Sequence, residues 1–279
     1  MSEYVIKKAS KRQKKLRIAF QSASGAGKTM SALRVARGLG DDPKIMVADT
    51  ENGSSELYSD MFEFDIVDVV EPFSPEKYVG LIRLAEQEGY DVLIFDTLTP
   101  LWTGKGGFMS IKDAFVKSGG YNDFTSWNPT NELYDAFIKE FIAAKVHIIA
   151  TMRSKAEYSI SKDNTGKMKI DKLGTTPQFR PGVDFEFTTV FALGKDNYCQ
   201  VDKDRSRLFA GHPPFVADEE TGRKLIQWLN DGGDPNDGIV QRTVEVETPV
   251  LTHHVAAKKK PRVLRVESEE DVPVDVELF

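Results

Sequence analysis

Cysteine is almost missing from this chain of 279 residues: Cys199 is the one thiol. A single cysteine excludes an intrachain disulfide and any zinc site built on cysteine pairs, and it suits a reducing compartment. Histidine is scarce as well, with four in all. They are scattered, and the adjacent pair His253-His254 lies in a polar stretch without metal-ligand spacing. No run approaches the roughly 18 consecutive apolar residues of a membrane-spanning helix, and no apolar signal core follows the N-terminus. The expectation is a cytoplasmic protein without a membrane partner. An overall positive charge is also lacking, the formal net charge being −6, which argues against general polyanion binding. The charges are nevertheless unevenly placed. Lys7, Lys8, Lys11, Arg12, Lys14, Lys15 and Arg17 crowd one end, while Glu267, Glu269, Glu270, Asp271, Asp275 and Glu277 crowd the other. Such asymmetry fits a basic arm for polyanions and an acidic interaction tail, or two solvated ends.

The apolar pattern divides the chain. Residues 1–15 read as a basic flexible arm, 16–231 as one α/β core, and 232–279 as a disordered linker and acidic tail. Short apolar runs at Leu16–Gln21, Lys44–Asp49, Phe64–Val70, Asp91–Asp96 and Val146–Met152 predict buried parallel strands. Helical periodicity falls between them, at Thr29–Leu39, Pro75–Glu88 and Asn131–Ala144. Alternation of this kind predicts a mostly parallel sheet with helices on both faces. Phe185–Leu193 and Tyr198–Asp202 suggest a more antiparallel C-terminal edge, and Asp218 is placed to cap a last helix, Asp218–Asn230.

The strongest motif follows the first strand: Ser22-Ala23-Ser24-Gly25-Ala26-Gly27-Lys28-Thr29, with Met30 next, running into a helix that starts near Lys28. Small residues let the backbone curl so that its N–H groups face a phosphate chain, and the helix adds its positive end. Lys28 would reach the β- and γ-phosphates of ATP, and the Thr29 hydroxyl would hold Mg²⁺. The motif usually opens on glycine. Here Ser22 stands in that position, and serine tolerates a positive φ poorly, so the start of the loop is expected to differ. The strand Asp91–Asp96 ends in a carboxylate, and Asp96 would share the metal with Thr29. Thr97 follows Asp96, so no second acid is adjacent. The candidate general base is Glu51, just beyond the strand that ends at Asp49, on the sheet edge where ligands bind in open α/β sheets.

Asp49-Thr50-Glu51 in this place resembles the Asp-x-Glu of RecA-type ATPases. Val201-Asp202-Lys203-Asp204-Arg205 is similar to the paired cations that RecA and replicative ring helicases insert into a neighbouring subunit's site. By that resemblance Lys203 and Arg205 are trans-acting groups on the γ-phosphate, with Arg207 a weaker candidate. His147–Arg153 would be the sensor strand, but Thr151 or Met152 stands where RecA carries glutamine, leaving Thr151 or Arg153 to do part of that work.

In a RecA-like core the connections after the metal-binding strand and the sensor strand face a DNA axis. Both are long here. The first, about Thr103 to Asn128, carries Lys105, Lys112, Lys117, Tyr121, Phe124 and Trp127, and part of it is expected to be helical. The second, about Arg153 to Pro181, carries Lys155, Tyr158, Lys162, Lys167, Lys169, Lys172, Phe179 and Arg180. Cations interleaved with aromatics suit single-stranded nucleic acid; a lid or a protein-binding loop is the bland alternative. With one compact core and no appended module, the chain resembles the single-domain RecA-like recombinases of bacteriophages, the Sak-type single-strand annealing group. The resemblance implies an ATPase that assembles as a filament or ring on single-stranded DNA in the bacterial host cell, with ATP between subunits. A single-stranded-DNA-binding protein is a possible partner. A ring-forming helicase or loader, a nucleotide-gated DNA-binding module with little turnover and, less well supported, a small-molecule kinase are the competing readings. Val272–Phe279, acids ending in phenylalanine, is similar to the acidic tips of single-stranded-DNA-binding proteins.

Overall fold

The computed structural model describes residues 2–6, 10–11, 14–162, 168–231 and 242–246. In chain order the elements are β1 (Ser2–Ile6), β2 (Arg17–Ser22), α1 (Lys28–Arg37), β3 (Ile45–Asp49), β4 (Asp65–Asp68), α2 (Pro75–Gln87), β5 (Val92–Asp96), α3 (Thr99–Thr103), α4 (Phe108–Lys117), α5 (Trp127–Ala143), β6 (His147–Lys162), β7 (Met168–Pro177), β8 (Thr189–Leu193), β9 (Cys199–Asp204), α6 (Glu219–Asn230) and β10 (Arg242–Val246). Short 3₁₀ turns occupy Ser54–Tyr58 and Val183–Glu186.

Residues 8–239 form one unit, and residues 1–7 with 240–279 form another. In the smaller unit β1 pairs antiparallel with β10, Ser2 opposite Val246 and Ile6 opposite Arg242. The His253-His254 pair and the acidic segment 266–279 lie outside the described residues.

The larger unit is built on a sheet of order β4-β3-β5-β6-β2-β8-β9, with β7 paired to β6. All strands along this path are parallel except β9, which returns antiparallel to β8. The fold is thus α/β, with a mostly parallel sheet and an antiparallel edge. The inner strands β2, β3 and β5 are buried along their whole length because both faces are covered, while the edge strand β4 is exposed at Asp65 and Asp68. Ala19, Met46, Ala48, Leu93, Phe95, Ile148 and Ala150 face α2, α4 and α5. Their sequence neighbours Ile18, Phe20, Ile45, Val47, Val92, Ile94 and Ile149 face α1 and α6. Helix starts are fixed by local chemistry. Ser74 accepts from Lys77 N ahead of Pro75 at the first turn of α2. Asp218 and Thr221 form a reciprocal capping box on α6. Helices α1 and α6 approach so closely that a methyl group on Gly222 would lie 2.3 Å from the Val35 carbonyl oxygen. Arg34 binds Glu219 across the same contact at 2.9 and 3.2 Å.

One expectation changes. Residues 154–162 and 168–177 are not a loop: β6 continues far past the core and pairs antiparallel with β7, with a bulge at Glu157/Tyr158. Part of the first connection is helical, as expected, in α4 and the start of α5. Arg17, the last cation of the basic run, lies in β2 as the apolar pattern predicts. It is buried, and its five N–H donors meet the carbonyls of Leu16, Phe141, Ile142, Ala144 and Val146 at 2.7–3.1 Å. It thereby satisfies orphan carbonyls at the C-terminal end of α5. Burial pushes the guanidinium down to about 10.

Candidate nucleotide site

The C-terminal edge of the parallel strands gathers the chemistry. Strand β2 ends at Ser22, the chain turns through Gly25 (φ 79°) and Gly27 (φ 80°), and α1 begins at Lys28. Both glycines need the left-handed region that a side chain disfavours. Ser22 does not, because it is still within β2, so serine carries no backbone strain there. Its hydroxyl donates to the Ala23 carbonyl at 2.8 Å and accepts from Lys28 Nζ at 3.3 Å. Lys28 Nζ also donates to the Ala23 carbonyl at 3.0 Å. Burial lowers the Lys28 pKa, with Glu51 and Asp96 acting in the opposite direction.

Strand β6 lies between β2 and β5, and it contributes to the site through Thr151. Asp96, at the end of β5, accepts from Thr29 Oγ1 at 2.7 Å through one oxygen and from Thr151 Oγ1 at 2.5 Å through the other. Asp96 is 1% exposed. Burial raises its pKa, and the two hydroxyl donors offset part of that rise. A buried carboxylate with neutral donors is short of positive charge, and carboxylate plus hydroxyl is a hard-oxygen pair suited to Mg²⁺. Among the described residues no cluster of three or more His, Cys, Asp or Glu could hold a metal ion. A Mg²⁺ ion here would therefore take its other ligands from phosphate oxygens and water.

Asp49 and Glu51 divide their work. Asp49, buried beside Asp96 in register, accepts from Glu51 N at 2.6 Å, from Ser55 N at 3.1 Å and from the Ser55 hydroxyl. It pins the turn that presents Glu51. Glu51 Oε1 accepts from Arg153 Nη2 at 2.7 Å and Nε at 3.1 Å. Beneath them, Thr97 N donates to Thr50 Oγ1 at 2.9 Å, Thr97 Oγ1 to the Thr151 carbonyl at 2.7 Å, and Arg153 N to Thr99 Oγ1 at 2.9 Å. The ends of β3, β5 and β6 are thus tied together. Thr50 belongs to the Asp49-Thr50-Glu51 motif and Thr151 to the expected sensor strand, whereas Thr97 and Thr99 are brought to the site by the fold alone.

Other expected site residues are spread out. Ala23, Ser24, Ala26 and Met30 lie in or beside the loop. Lys203 and Arg205 do not approach it. Because β9 runs antiparallel, Asp204 lies opposite Thr189, itself opposite Ile18 near the start of β2. Lys203 Nζ donates to the Asp184 carbonyl at 2.5 Å and Arg205 Nη2 to the Phe185 carbonyl at 2.6 Å. Burial, with Arg205 nearby, lowers the Lys203 pKa. Arg207 is exposed on the same turn at φ 61°.

Lys155 is exposed at the root of the hairpin. Tyr158 pairs in register with Lys172, Ser161 with Lys169 and Lys162 with Met168; Lys167 lies outside the described residues. Arg180 lies 4.3 Å over the ring of Tyr134. Phe179 and Trp127 flank Trp102 in an aromatic cluster at 5.6 and 6.0 Å, so these two rings pack within the protein, whereas Phe124 is 86% exposed.

A parallel sheet with a phosphate-cradling loop on one strand and a buried metal-competent carboxylate two strands away defines a P-loop domain of the ATPase type. The chain belongs to the AAA domain family, which matches residues 14–205. No curated protein sequence matches the chain. Among the described residues no helix is long and apolar enough to cross a membrane.

Proposed function

We propose that this chain is a RecA-like protein, akin to the phage Sak-type recombinases, that hydrolyses ATP while assembled with copies of itself on single-stranded DNA and promotes annealing or strand exchange. The observation that carries the reading is the Glu51–Arg153 ion pair. It joins the candidate general base to the root of the hairpin that holds Lys155, Tyr158, Lys162, Lys169 and Lys172.

The loop N–H groups and the positive end of α1 hold the phosphates, and Lys28 swings from Ser22 and Ala23 onto them. Thr29 and Asp96 would hold Mg²⁺, with Thr151 fixing the far oxygen of Asp96, and the metal would supply charge neutralisation at the phosphate oxygens. Glu51, aimed by Asp49, orients the attacking water and takes its proton. DNA on the hairpin shifts Arg153 and frees the Glu51 carboxylate. Lys203 and Arg205 sit away from their own loop, so they would serve a neighbouring subunit.

Hydrolysis of ATP with and without single-stranded DNA, at low and moderate salt, tests this. The expected result is stimulation of at least tenfold that weakens as salt rises. Hydrolysis indifferent to DNA would leave an ATPase with another partner.

A further inference from the structure

The hairpin turn between β8 and β9 stands against the phosphate loop, and nothing in the mechanism above uses it. The turn is tightly built. Gly194 N donates to the Tyr198 carbonyl at 2.8 Å, Asn197 N to the Gly194 carbonyl at 3.1 Å, and Tyr198 N to Asp196 Oδ1 at 3.3 Å. Asp196 is thus spent on the turn itself. Asn197 adopts φ 65°, a conformation asparagine tolerates better than most residues. Its side chain reaches across to the loop: a methyl group added to Gly27 would lie 2.7 Å from Asn197 Oδ1. Asn197 is nonetheless exposed, and its neighbour Tyr198 is 47% exposed.

The site has a direction. Thr29 points to Asp96, and Glu51 and Arg153 lie on the same side, toward β5 and β6. That side takes the metal and the γ-phosphate. A triphosphate lying along the loop therefore sends its nucleoside end the other way, toward β8, where the turn waits. An exposed amide carries both a donor and an acceptor, the pair that ribose hydroxyls and base edges satisfy.

We infer that Asn197 is a nucleotide-binding residue that holds the nucleoside portion, ribose or base, of the ligand seated on the phosphate loop. The inference rests on the nucleotide reading above and adds a contact that reading does not need. The turn forms one wall of the site, and Asn197 separates a nucleoside triphosphate from a bare polyphosphate.

Titration calorimetry with Mg²⁺ and either ATP or inorganic tripolyphosphate tests it, using wild type and Asn197→Gly. Glycine keeps the positive φ and hence the turn, while removing the amide. The expected result is about tenfold weaker ATP binding with tripolyphosphate affinity within about twofold of wild type. Unchanged ATP affinity in Asn197→Gly overturns the inference and leaves the ATPase reading intact. Equal weakening of both ligands also overturns it, since that marks support of the loop and not contact with the nucleoside. Wild type that binds neither ligand overturns the nucleotide reading and this inference together.

Discussion

His147 shows how a single buried residue ties this fold to pH. Its Nδ1 accepts from Leu16 N at 3.0 Å, so that nitrogen must be unprotonated. Burial, aided by Lys15 and Arg17, pushes its pKa down from 6.5 to about 3. Between those values the unfolded chain binds a proton that the folded chain refuses. Stability from this group is therefore complete above about pH 6.5 and is lost as pH falls, by about 1.4 kcal/mol per unit. His147→Asn keeps an acceptor near Leu16 N without a titrating ring. Thermal unfolding from pH 7 to pH 4.5 should show a visibly shallower loss of Tm in the variant than in wild type. Parallel curves would mean that His147 is not the titrating group. The apolar runs placed both His147 and Arg17 in buried strands but gave no sign of their roles, because their hydrogen-bond partners lie far away in sequence.

At the scale of elements, β6 matters most, because one strand serves three purposes. Its first residues lie in the core, Thr151 holds Asp96, and from Arg153 outward it becomes the hairpin. The core strands were readable because apolar runs mark them. The hairpin was not, since its Ser, Lys, Thr and Asp residues give no such run and read as a loop. Helix α4 was only partly visible because the glycines around it, Gly104, Gly106, Gly107, Gly119 and Gly120, make the stretch read as a loop. The helices whose caps or apolar faces were strong, α1, α2, α5 and α6, fell within a few residues of their expected bounds. The Glu51–Arg153 pair is half exposed on the Arg153 side, so it contributes under about 1 kcal/mol to stability, and its use lies elsewhere. Arg153→Ala should bring the ratio of DNA-stimulated to basal hydrolysis down toward one, with Tm nearly unchanged. A ratio equal to that of wild type would break the proposed link between hairpin and base.

Across the whole molecule, the site is assembled from segments far apart in sequence: 22–29, 49–55, 96–99 and 151–153. All four hold residues named from the sequence: 22–29 and 96–99 by motif, 49–55 and 151–153 by their place beyond a strand and by resemblance. Small residues before Gly27-Lys28-Thr29 and an apolar strand ending in Asp96 are patterns that chemistry imposes on the chain itself. The remaining groups act through neighbours: Asp49 through the backbone of its own turn, Thr151 through an adjacent strand, and Asn197 through a hairpin on the far side of β2. Such roles depend on strand order, which sequence patterns do not specify. The central claim is that these segments form one hydrolytic centre with Glu51 as its base. Glu51→Gln tests it most directly, with ATP affinity and ATP turnover measured on the same preparation. The account predicts turnover reduced by about 10²–10⁴-fold with affinity within about threefold of wild type. Turnover close to wild type would contradict it by removing Glu51 from the chemistry.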